Sequence, residues 1–375
     1  MEKIQKTFKF RLEPTKAQQV LLSKFAGCAR FVFNYGLSIF KEAFENKNKL
    51  PSYTDIANKL PKLKKSDDTA WLAEVHSQIL QQSLKDLESA IKHFFRRIKE
   101  KKEKPGFPKF KKKGMHDAFR YPQGIKCANG KVFLPKVGQV SYRDSRPIDG
   151  VIKQATIKRE GKHWFIAIVC EVEHAIQRVP ISQERAIGID LGLLNFAHLS
   201  NGEEIENPRW LRSELACLAK AQRNLCRKKK GSNNRKKAAE KVGKIHRRIT
   251  NKRHDFLHKQ STTIVKNHDV VAVEDLNVSG MIKNRCLALS IADVGWKTFL
   301  AFLEYKSNWM GKHFVSIDRF EPTSKTCSMC GNKQDMPLKI RTFVCSFCNM
   351  QMDRDLNASI NIRSAGLAVL NACGG

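Results

Sequence analysis

Residues 186–192 read Ala186-Ile187-Gly188-Ile189-Asp190-Leu191-Gly192, a short apolar run that ends on an acid. A run of this length and composition is the pattern of a strand buried on both faces. Working outward, Asp269-Val270-Val271-Ala272-Val273-Glu274 repeats the pattern, again closing on a carboxylate, and His313-Phe314-Val315-Ser316-Ile317 supplies a third strand. Helical periodicity fills the gaps, over residues 210–267 and from Trp296 to Trp309. Buried strands alternating with helices predict an α/β layer from about residue 184 onward.

Beyond the third strand come Cys327, Cys330, Cys345 and Cys348, two Cys-x2-Cys knuckles with fourteen residues between them. Each knuckle presents two thiolates, and two knuckles complete a tetrahedral zinc site. Four thiolates leave no open coordination position, so this zinc is expected to be structural. The next residues, Asp353-Arg354-Asp355-Leu356-Asn357-Ala358, lead into a final helix near Asn357.

Asp190 and Glu274 end predicted strands, and Asp355 stands at a loop-to-helix junction. Brought together, three carboxylates could hold two Mg²⁺ or Mn²⁺ ions about 4 Å apart, suited to phosphodiester cleavage. Taken singly, each acid has a plainer reading. Asp190 could be a strand-end turn residue, Glu274-Asp275 could cap a turn before Asn277, and Asp355 could be the N-cap of the last helix.

The N-terminal half has another texture. Residues 2–12 alternate as a strand (Ile4, Thr7, Phe8, Phe10, Leu12), and Pro14-Thr15 opens a helix carrying Val20, Leu21, Phe25, Cys28, Phe31 and Val32. A second amphipathic helix is predicted through Trp71, Leu72, Val75, Ile79, Leu80, Leu84, Leu87, Ile91, Phe94, Phe95 and Ile98. It ends in a basic run (Arg96, Arg97, Lys99, Lys101, Lys102) stopped by Pro105-Gly106. Residues 107–179 break into short β-branched and aromatic segments, read as a small antiparallel β unit that the first strand joins.

The 69 Lys and Arg outnumber the 36 Asp and Glu, for a net charge of +33, which favours a polyanionic partner, DNA or RNA. Residues 223–253 hold fourteen Lys or Arg and one acid, including Lys228, Lys229, Lys230, Arg235, Lys236, Lys237, Arg247 and Arg248. A solvated helix usually interleaves both signs, so this stretch is expected to grip phosphates. Lys109 and Lys111 flank Phe110 in a second basic patch, where Phe107 or Phe110 could stack on a base or belong to the core. His254, His258 and His268 lack metal-ligand spacing. No apolar signal core or membrane-length apolar run is seen, so a soluble, cytoplasmic protein is expected. The other seven cysteines (Cys28, Cys127, Cys170, Cys217, Cys226, Cys286, Cys373) have no pairing rhythm, in keeping with a reducing compartment.

Gly188-Ile189-Asp190-Leu191-Gly192, Val273-Glu274-Asp275-Leu276, the cysteine ribbon and the segment Asp353-Arg354-Asp355-Leu356-Asn357-Ala358-Ser359-Ile360-Asn361-Ile362 together resemble the TnpB family of insertion-sequence proteins, relatives of the type V CRISPR effectors. Phe10-Arg11-Leu12-Glu13-Pro14-Thr15 and Phe107-Pro108-Lys109-Phe110-Lys111 extend the resemblance over nearly the whole chain. It implies an α+β multidomain protein with an RNase H-like (RuvC) α/β nuclease at residues 183–322 and 352–375, its basic helical segment at 209–267, and an inserted four-cysteine zinc ribbon at 323–351. Residues 1–12 and 104–182 would form a β-barrel wedge domain, with a helical recognition insert at 13–103. The implied catalytic acids are Asp190, Glu274 and Asp355, with Asp353 the alternative third, and the implied metals are structural Zn²⁺ and catalytic Mg²⁺ or Mn²⁺. The implied partners are a guide RNA from the transposon end and double-stranded target DNA. The triad leaves open a DNA strand-transfer transposase, and the same scaffold could serve as a non-cutting RNA-guided regulator.

Overall fold

The computed structural model describes residues 2–100, 105–115, 117–174, 177–337 and 339–372; Lys101, Lys102 and Cys373 lie outside them. The chain divides into two compact units, Met1–Ala175 and Ile176–Gly375. The sequence boundary at 182/183 therefore moves toward the N-terminus. The reason is local: the Val179 amide donates to Gly311 O, and the His313 imidazole approaches Val179 O at 2.8 Å, anchoring residues past 176 in the second unit.

The first unit opens with strand β1 (Glu2–Glu13) and helix α1 (Lys16–Glu45). Thr15 caps α1 reciprocally with Gln18, which fixes where the helix starts. Short helices α2 (Tyr53–Ala57) and α3 (Leu60–Lys65) lead through a 3₁₀ segment (Asp67–Glu74) into α4 (Ser77–Lys99). The single helix expected through Trp71 and Ile98 is thus broken: Val75 and His76 are extended, with ψ of 150° and 126°. Leu72, Val75, Ile79 and Leu80 are all buried nonetheless, because a 3₁₀ turn and an extended corner meet the core at the same three- and four-residue spacing. On α1, Val20 is 58% exposed and Leu22 takes the inward position.

Strands β2 (Ala118–Tyr121), β3 (Lys126–Ala128), β4 (Lys131–Leu134), β5 (Gly138–Tyr142), β6 (Val151–Glu160) and β7 (His163–His174) join β1 in a seven-stranded sheet of order β2-β6-β7-β1-β5-β4-β3. All of its ladders are antiparallel. Among the described residues no ladder joins β2 to β3, so the expected barrel is a curled sheet that is open in its hydrogen bonding. Its edges still share one core, containing Phe119, Tyr121, Val132 and Leu134, and the Tyr121 hydroxyl donates to Pro135 O at 2.8 Å. Phe107 packs among Phe40, Phe44 and Phe94, whereas Phe110 is exposed.

The second unit is built on β8 (Ala186–Leu191), β9 (Asn195–Leu199) and β10 (Glu204–Glu206), then helices α5 (Trp210–Cys226) and α6 (Asn233–Asn267) and strand β11 (Val270–Glu274). Helices α7 (Val278–Met281), α8 (Ala288–Val294) and α9 (Trp296–Trp309) precede β12 (His313–Ile317). The ribbon strands β13 (Thr342–Val344) and β14 (Gln351–Asp353) run directly into α10 (Arg354–Ala372). The five-stranded sheet has order β10-β9-β8-β11-β12, with β8, β11 and β12 parallel and β9 and β10 antiparallel. Residues 210–267 form two helices, interrupted by a turn containing Gly231 at φ +85°. Buried Asp293 steadies this hairpin by accepting from the Leu211 amide at the start of α5 and pairing with Arg253 of α6. No helix among the described residues is long and apolar enough to cross a membrane.

The sheet is covered on both faces. Ile187, Ile189, Val271 and Val273 pack with Leu257, Ile264, Phe299 and Leu303 of α6 and α9. The alternate residues Ala186, Val270, Ala272 and Val315 meet Ile362 of α10. On this face the helix lies against backbone. A Cβ on Gly188 would sit 2.0 Å from Ser359 O and 2.5 Å from Arg363 N, and one on Gly366 would sit 2.5 Å from the Ala272 Cβ. Gly188→Ala must therefore push α10 off the strand. We expect melting to fall by about 6–12 °C, the scale of overpacking a fixed site in a unit of this size. Gly243→Ala in α6, where the new Cβ meets only Arg247 Nη1 at 3.7 Å, should leave melting unchanged or slightly raised. Equal melting of the two variants in thermal denaturation would contradict the close approach.

Candidate active site and metal centres

Strand register assembles the site. Val270 pairs with Ala186 and Ala272 with Gly188, so the next pair on that face sets Glu274 beside Asp190. On the other side Asp190 pairs with His198, and His198 with Glu204 of β10. Glu274, Asp190, His198 and Glu204 thus form one row across four strands, on the face that α10 covers. The helix then lowers its first turn over the row. Asp355 Oδ2 lies 3.6 Å from His198 Nε2 and 3.4 Å from Arg341 Nη1.

The two acids of Asp353-Arg354-Asp355 have different tasks. Asp353 Oδ1 accepts from the amides of Asp355 at 2.8 Å and Leu356 at 3.0 Å, so Asp353 caps α10. Asp355, one turn position inside, points into the row. The reading of Asp355 as N-cap is therefore corrected. Glu274 Oε1 is held by the Thr323 hydroxyl at 2.6 Å.

Burial, and then the charges of Glu274 and Asp355, push the Asp190 carboxyl up to about 8; Arg354 opposes this. Three carboxylates crowded at one sheet end require a counter-charge, and their hard oxygen donors suit Mg²⁺ or Mn²⁺. Among the described residues, the ligand atoms of this row that lie within 4.8 Å of one another are those of His198, Asp353 and Asp355, a donor set that fits such an ion; Asp190 and Glu274 stand near enough to act by charge but do not close a group of that span with Asp355. His198, which is 6% exposed, was missed in the sequence because its only signal is its cross-strand place opposite Asp190.

The four ribbon cysteines also converge within 4.8 Å, with Sγ pairs Cys327–Cys348 at 3.7 Å and Cys330–Cys345 at 3.6 Å. A tetrahedron with Zn–S bonds of about 2.3 Å has edges of about 3.8 Å, so this donor set fits zinc. The amides of Phe347 and Cys348 donate to Cys345 Sγ at 3.4 and 3.5 Å, which favours a ligating thiolate there. The ribbon is tied to α10. Asn357, fully buried, accepts from the Ser328 amide at 2.9 Å and donates to Thr326 O at 2.7 Å, and Asn361 donates to Thr323 O at 2.8 Å and Thr326 O at 2.7 Å.

The predicted phosphate-binding residues divide by availability. Lys228, Lys229 and Lys230 are exposed in the α5–α6 turn, and Lys236 and Lys237 in the first turns of α6. Arg235 is turned inward, donating to Leu225 O at 2.9 Å and Lys228 O at 3.0 Å, and it closes that turn. Arg248 is paired with Glu214, while Arg247 is partly exposed. In the first unit Lys109 is exposed, but Lys111 Nζ lies 3.8 Å over the Phe33 ring and burial lowers its pKa.

A Streptomyces pristinaespiralis protein named for RNA-guided DNA endonuclease activity is 39% identical over 382 residues, spanning 100% of this chain and 92% of its own. An Escherichia coli K12 protein of the same designation, InsQ, is 38% identical over 392 residues, spanning 100% and 95%. The chain belongs to the TnpB family. Within it, residues 167–285 match the family described as "Probable transposase" and residues 296–362 a "Cas12f1-like, TNB domain". Residues 1–49 match a "Helix-turn-helix domain", although here they form a strand followed by the one uninterrupted helix α1. Among solved structures, a cryo-EM complex of Cas12f1 with sgRNA and target DNA aligns at TM-score 0.59 and 13% identity, covering 96% of this chain and 99% of that one. The mixed α+β fold of this TnpB-family chain is thus that of a compact type V effector.

The raised Asp190 carboxyl has a consequence for stability. The native state keeps a proton that the unfolded chain, titrating near 3.9, has released. Without divalent cations the protein therefore loses stability as pH rises from about 4 to about 8, and the loss levels off above that. Asp190→Asn removes the effect. In buffer without Mg²⁺ or Mn²⁺ its melting advantage over the native protein should be small at pH 5 and widen to several degrees by pH 8. A pH-independent difference would contradict the crowding of carboxylates around Asp190.

Proposed function

We propose that this chain is an RNA-guided DNA endonuclease that cuts DNA at the row formed by Asp190, Glu274 and Asp355. The observation that carries the reading is that these three carboxylates share one sheet end, where burial first, and then the charges of Glu274 and Asp355, raise the Asp190 carboxyl. The mixed strand order, three parallel strands edged by two antiparallel ones, supports an RNase H-like (RuvC) centre. In this reading residues 176–322 and 352–375 are the nuclease and 323–351 its zinc ribbon. The curled sheet is the wedge domain and 13–103 its recognition insert.

Bound Mg²⁺ or Mn²⁺ would supply Lewis-acid activation of water and stabilise the leaving oxygen. The chain's own part is to place ligands. Asp190 and Glu274 are fixed by strand ends, Thr323 orients Glu274, and the Asp353 cap sets the turn from which Asp355 points inward. Exposed Lys228, Lys229, Lys230, Lys236 and Lys237 would hold the phosphates of a guide RNA and its DNA heteroduplex without reading bases. We assign the guide to RNA from the transposon end, the target to double-stranded DNA, and the place of action to the prokaryotic cytoplasm.

Cleavage of a matched and a mismatched target, with and without co-purified RNA, tests this directly. Only the matched target with RNA should be cut. Asp190→Ala, Glu274→Ala and Asp355→Ala should each lower the rate by about a thousandfold or more, the size of effect seen when a catalytic ligand or charge stabiliser is removed. RNA binding should be retained. Equal cutting in all four conditions would leave an unguided nuclease, and joined rather than cleaved products would favour a strand-transfer transposase.

A further inference from the structure

His198 is the imidazole in the carboxylate row. It is 6% exposed, lies directly across the ladder from Asp190, and turns Nε2 to Asp355 Oδ2 at 3.6 Å. That separation is less than twice a metal–ligand bond of roughly 2.1 Å, so one cation can touch both atoms. The opposite ring nitrogen, Nδ1, faces Glu204 Oε1 at 3.7 Å. Glu204 is itself fixed by Asn195, whose Nδ2 donates to Glu204 Oε2 at 2.6 Å; the same Nδ2 lies 3.3 Å from His198 Nε2, which must accept there, so Nε2 carries the lone pair and a bound cation displaces this contact. A carboxylate behind one imidazole nitrogen is the arrangement that orients the other toward a metal.

We propose that His198 is a nitrogen ligand in the carboxylate site, with Glu204 facing its other ring nitrogen, so that one cation position is a mixed nitrogen–oxygen site preferring Mn²⁺ to Mg²⁺. The inference rests on the proposed cation site at Asp190, Glu274 and Asp355, and adds to it a residue and a metal preference. The preference follows from donor chemistry: both ions suit oxygen donors and Mn²⁺ is the weakest binder of the first-row series, but the larger, softer Mn²⁺ accepts an imidazole nitrogen more readily than Mg²⁺, which demands a small, near-ideal octahedral shell. Asp353, with its first oxygen engaged in capping α10, still lies within 4.8 Å of the other two ligand atoms and completes the mixed set.

The test is Mn²⁺ binding to the full-length protein with its zinc in place, followed by electron paramagnetic resonance and electron spin-echo modulation. Wild-type protein should show ¹⁴N modulation from a directly bound imidazole. Folded His198→Gln should lose that modulation and bind Mn²⁺ at least about tenfold more weakly, with a smaller change in Mg²⁺ competition. Absence of ¹⁴N modulation in the wild type, which requires no variant to fold, would overturn the proposal. Unchanged modulation in His198→Gln would do the same. Asp190→Asn separates the two levels. If it still binds Mn²⁺ as tightly as wild type, the underlying carboxylate site fails; if it loses Mn²⁺ while wild type shows no nitrogen signal, only the role of His198 fails.

Discussion

The backbone of α10 rests on the backbone of β8, and the placement of the acids depends on that contact. Gly188 has no side chain to hold the helix away, Gly366 repeats the device against Ala272, and the helix meets the sheet at a distance that no larger residue allows. Because Asp190 follows Gly188 by one strand period and Asp355 precedes Ser359 by one helical turn, closing this contact also closes the site. The acids are brought together by packing between small residues. Burial and their mutual repulsion, which together raise the Asp190 carboxyl, are opposed by apolar burial further along the same face in Ala186, Val270, Val315 and Ile362.

The zinc ribbon extends the same logic. Its strand β14 ends at Asp353, the residue that caps α10, and Asn357 and Asn361 fasten the ribbon's first knuckle to the next turns of the helix. Asn357 is buried and bonded through both its oxygen and its nitrogen, so breaking its contacts would leave unpaired groups out of water. The four thiolates therefore govern more than a surface hairpin: they fix the residues from which the third acid is presented. In the proposed reading, a zinc that does no chemistry would support the geometry of the site that does.

Much of this was legible in the sequence where a residue's role depends on local pattern. The three parallel strands, α9 and the cysteine knuckles follow from apolar runs and spacing, and the structure places them within a residue of the expected limits. The acids drew attention because each interrupts an apolar run or opens a helix. What failed was reading geometry that differs while spacing does not. The 3₁₀ segment before α4 buries Leu72 and Val75 at helical intervals, and among the described residues the curled sheet alternates like a barrel with no ladder joining its two edge strands. The place of His198 was invisible for another reason: it depends on which strand lies beside which, and no local period encodes that. The Asp353 cap, by contrast, is local, two and three residues from the amides it holds.

The most direct test of the account is anomalous diffraction from crystals of the protein with RNA and matched DNA, grown with Mn²⁺. The account predicts one zinc signal among Cys327, Cys330, Cys345 and Cys348, and manganese signal in contact with Asp190, Glu274 and Asp355. Manganese bound elsewhere, with those three carboxylates turned apart, would contradict it.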